Sequence, residues 1–280
     1  MATYANTMQN ARLKTMVVPR EHGAWGMLLV PLATGAVVAA GTRMNPMPLG
    51  LFLIAALALF WLRTPVEAWM GTSAIKAQTL DERSIVRNTS VALATLAVVS
   101  VAVLCLSGYA RGLLLIGSVA AFSFAVQVAV KRLGRRGRMP AQVIGAIGLT
   151  STAASAYYVA TGRLDEIAVS LWLANWLFAG NQVHFVQLRI RAARAATIAE
   201  KLQQGRVFLL GQCVLLGWVM GMSYAGIFPR FVVLAFVPAL LRGTFWFFRG
   251  PQPLEVHKLG LSELVQALMF GTLLCAAYLL

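Results

Sequence analysis

The stretch TSVALATLAVVSVAVLCLSGY, residues 89–109, carries no charged side chain over 21 consecutive positions. In a helix that rises about 1.5 Å per residue, roughly 20 apolar residues cross the hydrocarbon core of a bilayer. The other structure that can span a membrane is a closed β-barrel, whose strands would alternate apolar and polar residues, and this chain lacks that alternation. The stretch therefore predicts a transmembrane helix.

Nine segments of the chain are apolar enough to be predicted as transmembrane helices. The composition agrees, because 59% of the residues are hydrophobic and only 12% are charged, which is too few charges for a soluble protein. We expect an all-α integral membrane protein, a bundle of about nine helices that forms one domain over residues 1–280, including a short cytoplasmic segment, 1–18. The predicted spans are Gly23–Ala40, Leu49–Leu62, Thr89–Tyr109, Gly112–Val130, Ala141–Val159, Ile167–Arg189, Val207–Tyr224, Phe231–Phe248 and Leu261–Leu280.

The charged residues are predicted to lie almost entirely on one side of the membrane. Threading the spans in order places twenty of the 24 Lys and Arg residues, seven of the nine Asp and Glu residues and all three histidines on that side. Cytoplasmic loops carry the excess of Lys and Arg, so we expect a cytoplasmic N-terminus in a bacterial inner membrane. The net charge of +15 then indicates membrane orientation and contact with anionic lipid, and we expect no nucleic-acid binding.

One face of the sixth predicted span is polar. At 100° per residue, Asn181, His184, Gln187 and Arg191 fall within an arc of about 120°. Polar side chains in an apolar helix usually face the bundle interior or a water-filled cavity, because exposure to lipid is costly. A helix that emerges into water would explain Arg191 but not Asn181, which follows the apolar run Trp172–Gly180. We expect this stripe to line a site.

Glu21 and His22 directly precede the first predicted span. One interpretation is an ordinary helix start, where an acid complements the helix dipole. The other is that both side chains point into the mouth of the bundle, because a Glu–His pair facing lipid would be costly. Near the end of the chain, Ser262 followed by Glu263 predicts the N-terminus of the last helix.

A long polar loop, residues 63–88, follows the second predicted span. Pro65 is expected to end that helix, because proline removes a hydrogen bond and clashes with the preceding turn. Some of the loop's charges could pair with one another in a solvated turn at Asp81–Glu82–Arg83. Its cations could equally bind an anionic head group. These cations are Arg63, Lys76, Arg83 and Arg87.

The histidines offer a possible metal site, because His22, His184 and His257 are all predicted on the same side. Three histidines and a water molecule can hold zinc or iron. No two of these histidines, however, have the three- or four-residue spacing that brings ligands together on a helix. The sequence therefore assigns no metal ligands.

Three stretches resemble the YwiC-like family of bacterial integral membrane proteins. The first is PREHGAWGMLLVP, residues 19–31, which resembles the opening of that family. The segment His184–Arg191 is similar to the family's later His/Arg segment, and Leu259–Glu263 is similar to its final span. The resemblance implies a membrane protein and does not itself imply an activity.

A more distant similarity is to the UbiA-type prenyltransferases, nine-helix membrane enzymes whose active site opens to the cytoplasm. It implies a UbiA-like architecture, with long loops after helices two and six. Those enzymes hold Mg²⁺ and a prenyl diphosphate with two Asp-rich motifs. Here Asn181 and Leu188 stand at the second motif, and Glu67 is the only acid in Arg63–Thr72. Because hard Mg²⁺ requires carboxylate ligands, Mg²⁺ is doubtful here and the cofactor is unknown.

Together these features predict a cationic, cytoplasm-facing cavity for an amphipathic ligand with an anionic head, such as an isoprenoid, a quinone precursor or haem. One hypothesis is a diverged UbiA-like transferase. An alternative is a non-enzymatic membrane protein that binds or assembles haem, metal or lipid, and a second alternative is a small-solute transporter. The candidate catalytic residues are Glu21, His22, Asn181 and His184. The candidate head-group ligands are Arg63, Lys76, Arg83, Arg87, Gln187, Arg189 and Arg191.

Overall fold

The structure is a computed structural model that describes residues 12–18, 22–42, 44–71, 77–134, 137–195, 197–250 and 254–280, with side chains for all of these except 22–24. Within these ranges every regular element is a helix, beginning with residues 12–17. The longer helices are α1 (His22–Ala40), α2 (Pro46–Trp69), α3 (Leu80–Leu104), α4 (Ala110–Lys131), α5 (Arg138–Thr150), α6 (Thr152–Thr161), α7 (Glu166–Arg191), α8 (Ile198–Tyr224), α9 (Val232–Phe248) and α10 (Val256–Leu279).

Five segments of the described chain are long and apolar enough to cross a membrane. The longest segment, Leu80–Lys131, contains two of the predicted spans. A π-helical turn, Cys105–Tyr109, in which Gly108 has a φ of 96°, separates its two helices, α3 and α4. Two further apolar helices, α1 and α9, are shorter. The chain is thus an all-α, multi-pass membrane protein, as predicted. The five segments are Pro46–Trp69, Leu80–Lys131, Arg138–Thr161, Ile198–Tyr224 and Val256–Leu279.

Each of the nine predicted spans is helical over nearly all of its length, although the number of membrane crossings stays a prediction. The fifth is divided into α5 and α6 at Ser151. The prediction that Pro65 ends the second helix is wrong, because α2 continues through Pro65 to Trp69. Proline is tolerated in membrane helices, where neighbouring groups and local adjustments satisfy the carbonyl that it leaves unpaired.

The chain divides into two compact units. Unit 1 comprises Met1–Glu21 and Pro46–Arg111, and unit 2 comprises His22–Asn45 and Gly112–Leu280. The single domain expected from the sequence stays a prediction, and the two units are described separately below.

Unit 1 is built around the pair α2 and α3, which pack against each other. Trp61 Nε1 donates a hydrogen bond to the carbonyl of Val17 at 2.6 Å, which attaches the N-terminal segment to α2. Glu82 is buried, forms a capping box with Thr79 at the start of α3 and pairs with Arg12 at 2.9 Å. Glu82 therefore has a structural role. The sequence alone left two interpretations open for the charges of this loop.

In unit 2, α7 is the central helix. It contacts α1, α5, α6, α8, α9 and α10. A close helix crossing joins α1 to α6 at Gly35, where a Cβ atom would overlap the backbone carbonyl of Ala153. Small residues allow membrane helices to approach this closely, so Gly35 is required by packing.

The polar loops of unit 2 lie at one end of its helices. Gln187 Nε2 donates to Gln142 Oε1 at 2.9 Å, which joins the end of α7 to the start of α5. Lys201 Nζ donates to the carbonyl of Arg249 at 2.6 Å, which joins the start of α8 to the end of α9. At the opposite end, Tyr278 donates to Ser170 Oγ at 2.7 Å. We call the end that contains the Gln187–Gln142 and Lys201–Arg249 contacts the polar-loop end. Which side of the membrane this end faces stays a prediction.

Candidate functional site

A pocket of about 280 Å³ lies between α5, α7 and α8 in unit 2. Most of its wall is apolar, and three polar side chains face it from the two longer helices. An apolar pocket with a few convergent polar groups is the usual form of a small-molecule site. The lining residues are Met139, Val143, Trp176, Leu177, Gly180, Asn181, His184, Gly211, Gln212, Val214, Leu215 and Trp218.

Two buried amides, Asn181 on α7 and Gln212 on α8, form the polar end of this pocket. Each is only about 7% exposed, and Gln212 Nε2 donates a hydrogen bond to Asn181 Oδ1. This bond leaves Asn181 Nδ2 and Gln212 Oε1 buried with no hydrogen-bond partner among the residues that the structure describes. If both amides rotate by 180°, the roles exchange, so the pair offers one free donor and one free acceptor in either arrangement.

His184 supplies the third polar group, one helical turn along α7 from Asn181. Its ring meets the edge of Phe208 at 5.1 Å between centroids and lies against Gly211, where a Cβ atom would come 3.4 Å from the imidazole. Its Nε2 atom is buried and has no hydrogen-bond partner in the described part of the chain. Gly211 therefore leaves the space that the imidazole occupies beside the pocket.

The wall between α5 and α7 is fixed by two tryptophans of α7. Trp172 Nε1 donates to the carbonyl of Ile147 at 2.9 Å, and Trp176 Nε1 donates to the carbonyl of Val143 at 3.0 Å. The two donors are four residues apart on α7, and the two acceptors are four residues apart on α5. The two bonds therefore fix the register between these helices. The pocket is consequently a feature of helix packing and does not depend on a loop.

A second polar cluster lies on another side of α7, toward α9 and α10. Gln182 Nε2 donates to the backbone carbonyl of Glu263 at 2.8 Å, and the Glu263 carboxylate is ion-paired with Arg242. The guanidinium of Arg242 also lies 4.1 Å from the ring centre of Phe185. Charged residues at membrane depth are rare and usually pair in this way. None of these residues lines the pocket described above.

The structure divides the predicted polar stripe of α7. Asn181 and His184 line the pocket, and their predicted role in a functional site stays a prediction. Gln187 binds Gln142 at the polar-loop end, and Arg191 Nε donates to the carbonyl of Gln187 at 3.4 Å. Arg189 faces a different depression, beside Trp246. The roles of these three residues in head-group binding stay predictions.

The predicted cations of the second loop belong to unit 1, whereas the pocket belongs to unit 2. Arg63 pairs with Glu67 at 2.8 Å, Arg83 Nε donates to the carbonyl of Ala77 at 3.5 Å, and Arg87 is exposed. Their head-group role stays a prediction. The structure does not describe the other predicted site residues, which are Glu21, Lys76 and the side chain of His22. Their predicted roles therefore fall outside the described residues.

Sequence reasoning missed Gln212 and Arg242, although a usable signal was present. Each is an isolated polar residue inside a predicted span, and the argument from membrane depth that selected Asn181 applies equally to both. The prediction that the last helix begins at Ser262 and Glu263 is wrong, because α10 begins at Val256 and Glu263 lies about two turns inside the helix. Among the residues with described side chains, no group of three or more His, Cys, Asp and Glu is arranged to hold a metal ion.

A family model described as YwiC-like protein matches residues 18–158, just over half of the chain. The match covers α1 to α5 and most of α6, and it ends before α7. Neither the curated proteins nor the solved structures contain a match to this chain.

Proposed function

The chain belongs to the YwiC-like family, and we propose that it is a membrane protein that binds an amphipathic small molecule in the pocket between α5, α7 and α8. The proposal rests on one observation. Three buried polar atoms have no hydrogen-bond partner within the described ranges, and their side chains line a single apolar pocket: Asn181 Nδ2, His184 Nε2 and Gln212 Oε1.

The energetic argument concerns these unpaired atoms. Leaving a buried donor or acceptor unsatisfied costs about 1–3 kcal/mol, so three such atoms around one pocket are a substantial cost to the unliganded protein. A ligand with one acceptor and one donor could pair with Asn181 and Gln212 together. His184 would then contact the same polar end of the ligand or a water molecule beside it.

The ligand we propose is apolar over most of its surface and uncharged at its buried polar end. The lining residues of the described structure include no Lys, Arg, Asp or Glu. Drug-sized ligands usually occupy roughly 300–1,000 Å³, so a pocket of about 280 Å³ would hold a ring with its polar substituents while a hydrophobic tail extends into lipid. Among the ligands considered from the sequence, a quinone precursor suits this pocket best.

Prenyl transfer, the activity of the distant UbiA-type resemblance, would require a site for an anionic diphosphate. Such sites bind the diphosphate through cations or metal ions, which the described lining of this pocket does not supply. Transfer, like the UbiA-like architecture itself, therefore stays a prediction. Incubation with labelled prenyl diphosphates and Mg²⁺ tests it, since turnover would establish a transferase.

The binding proposal is tested with full-length protein purified from its own membranes. Native mass spectrometry is expected to show a bound small molecule that survives detergent exchange. The double variant Asn181→Leu/Gln212→Leu should reduce the bound fraction about tenfold or more, because two neutral hydrogen bonds are lost. Removing both amides together leaves neither one unpaired, so the fold should persist. His184→Phe, which keeps the aromatic contact with Phe208, should also weaken binding.

The matched control is Asn175→Leu, a buried asparagine on the same helix. Asn175 Nδ2 donates to Thr34 Oγ1 at 3.1 Å and to the carbonyl of Leu171 at 2.9 Å, and it does not line the pocket. This variant should lower the unfolding temperature and keep the ligand. An empty wild-type protein, or a double variant that retains the ligand fully, would contradict the proposal.

A further inference from the structure

A small basic depression lies at the polar-loop end of unit 2, where α7 and α9 end and α8 begins. Three cationic side chains, Arg189, Lys201 and Arg249, line it together with Trp246. We call these four residues the Trp246 site. None of them lines the pocket between α5, α7 and α8, so this site is separate from the one assigned above.

Lys201 is the unusual member of the Trp246 site, because it is a cation that is only 4% exposed. Its Nζ atom donates to the carbonyls of Arg249 at 2.6 Å and Gly250 at 3.4 Å, and lies 5.1 Å from the ring centre of Trp246. In the described part of the chain no carboxylate lies within 4.0 Å of it. A buried ammonium group is costly unless its charge is neutralised.

The two arginines add to this excess of positive charge. The guanidinium carbon of Arg189 lies 5.8 Å from the ring centre of Trp246, and neither Arg189 nor Arg249 is ion-paired with a described carboxylate. The buried carboxylate of Glu263 is already paired with Arg242. That carboxylate also interacts electrostatically with Arg189, but it is shared with Arg242. The three converging cations repel one another, and a bound anion would relieve that repulsion.

The donors that remain are suited to an oxyanion. An ammonium group has three N–H donors, of which Lys201 uses two, and each guanidinium has five. The free space in the depression is about 10 Å³, roughly enough for one water-sized group. It could therefore accept an oxygen of a phosphate group, while the rest of the bound molecule lay outside.

We propose that the Trp246 site binds a phosphate-bearing anion, either the head group of an anionic lipid or a soluble phosphate ester. Its position at helix ends beside a tryptophan is typical of the membrane–water interface, where anionic head groups lie. Charge-assisted hydrogen bonds from Lys and Arg are the usual means of holding phosphate. Lys201 supplies a buried point charge and the two arginines supply planar donors.

The test uses full-length protein in maltoside micelles, whose sugar head group contains no phosphate, at constant ionic strength. In one arm, inorganic phosphate or pyrophosphate is added, and in the other, phosphatidylglycerol; affinity is measured from the shift in unfolding temperature and from native mass spectra. We expect Lys201→Met and Arg249→Gln each to weaken binding about tenfold or more. The control Arg206→Gln removes an exposed charge from the same helix and should bind as the wild type does.

The two arms distinguish the source of the phosphate group. Binding of phosphatidylglycerol alone identifies a lipid site, and binding of phosphate or pyrophosphate alone identifies a soluble ligand. The proposal is overturned if neither binds, or if Arg206→Gln weakens binding as much as Lys201→Met does. It is also overturned if Lys201→Met lowers the unfolding temperature and leaves the anion affinity unchanged, since Lys201 would then only cap α9. If Lys201→Met does not fold, Arg249→Gln decides the matter, because the Arg249 side chain is exposed.

Discussion

At the scale of single residues, two neighbours on α7 serve different partners. Asn181 faces Gln212 and the pocket, while Gln182 donates to the backbone of Glu263, whose carboxylate pairs with Arg242. The first contact leaves polar atoms available beside a cavity, whereas the second joins α7 to α10 beside a buried ion pair. The proposed ligand-binding role therefore belongs to the amide pair, and we propose a structural role for the Arg242–Glu263 pair.

The Arg242–Glu263 pair yields a stability prediction. Arg242→Met should lower the free energy of unfolding by about 3–5 kcal/mol, because it leaves the Glu263 carboxylate buried without its counter-charge. The double variant Arg242→Met/Glu263→Met should recover much of that loss. Denaturation in detergent, followed by circular dichroism, measures both effects.

The control for this pair is Lys258→Met, which breaks the exposed pair with Glu255. Exposed ion pairs are worth at most about 1 kcal/mol, so this variant should unfold close to the wild type. If Arg242→Met proved as mild as Lys258→Met, the buried pair would not have the structural role assigned to it.

At the scale of helices, apolar patterning locates the spans but not the ends of the helices. Hydropathy predicted starts at Thr89 and Val207, whereas α3 begins at Leu80 and α8 at Ile198. Both true starts carry a capping box, formed by Thr79 with Glu82 and by Thr197 with Glu200. This Thr-x-x-Glu pattern is readable in the sequence. The polar first turns extend beyond the apolar stretch that hydropathy detects.

The α1–α6 crossing provides a prediction at this scale. Gly35→Ala should lower the unfolding temperature, because the new Cβ would overlap the backbone of Ala153, which cannot move as a side chain can. Gly50→Ala is the control, since a Cβ on Gly50 of α2 meets nothing within 4 Å and alanine favours the helix by about 1 kcal/mol. Thermal unfolding of both variants measures the difference, and equal stability would show that the crossing tolerates a side chain.

At the scale of the whole molecule, the charge of the loops predicts an orientation in the membrane. We propose that the polar-loop end of unit 2 faces the cytoplasm of a bacterial inner membrane, because Lys and Arg are retained on that side. The loop between α4 and α5 and the chain terminus after α10 would then lie on opposite sides.

Reporter fusions test this orientation. Alkaline phosphatase, which is active only outside the cytoplasm, should be active when fused after Leu280 and inactive when fused after Gly134. The opposite pattern would reverse the orientation, and equal activity at both sites would contradict an odd number of spans between Gly134 and Leu280.

From the sequence alone, the class of protein, the helical positions of the apolar spans and the family are predicted correctly, and Asn181 and His184 are selected as candidate site residues. These follow from properties of contiguous residues, namely apolar length, helical periodicity and local motifs. Only the tertiary structure shows that Gln212 is the partner of Asn181, that Arg242 neutralises Glu263 and that Lys201 is buried beside Trp246. Those pairings depend on which helices pack together and at what register. Helix packing is set by apolar contacts between helices that are distant in the sequence, so the pattern of one segment does not predict it.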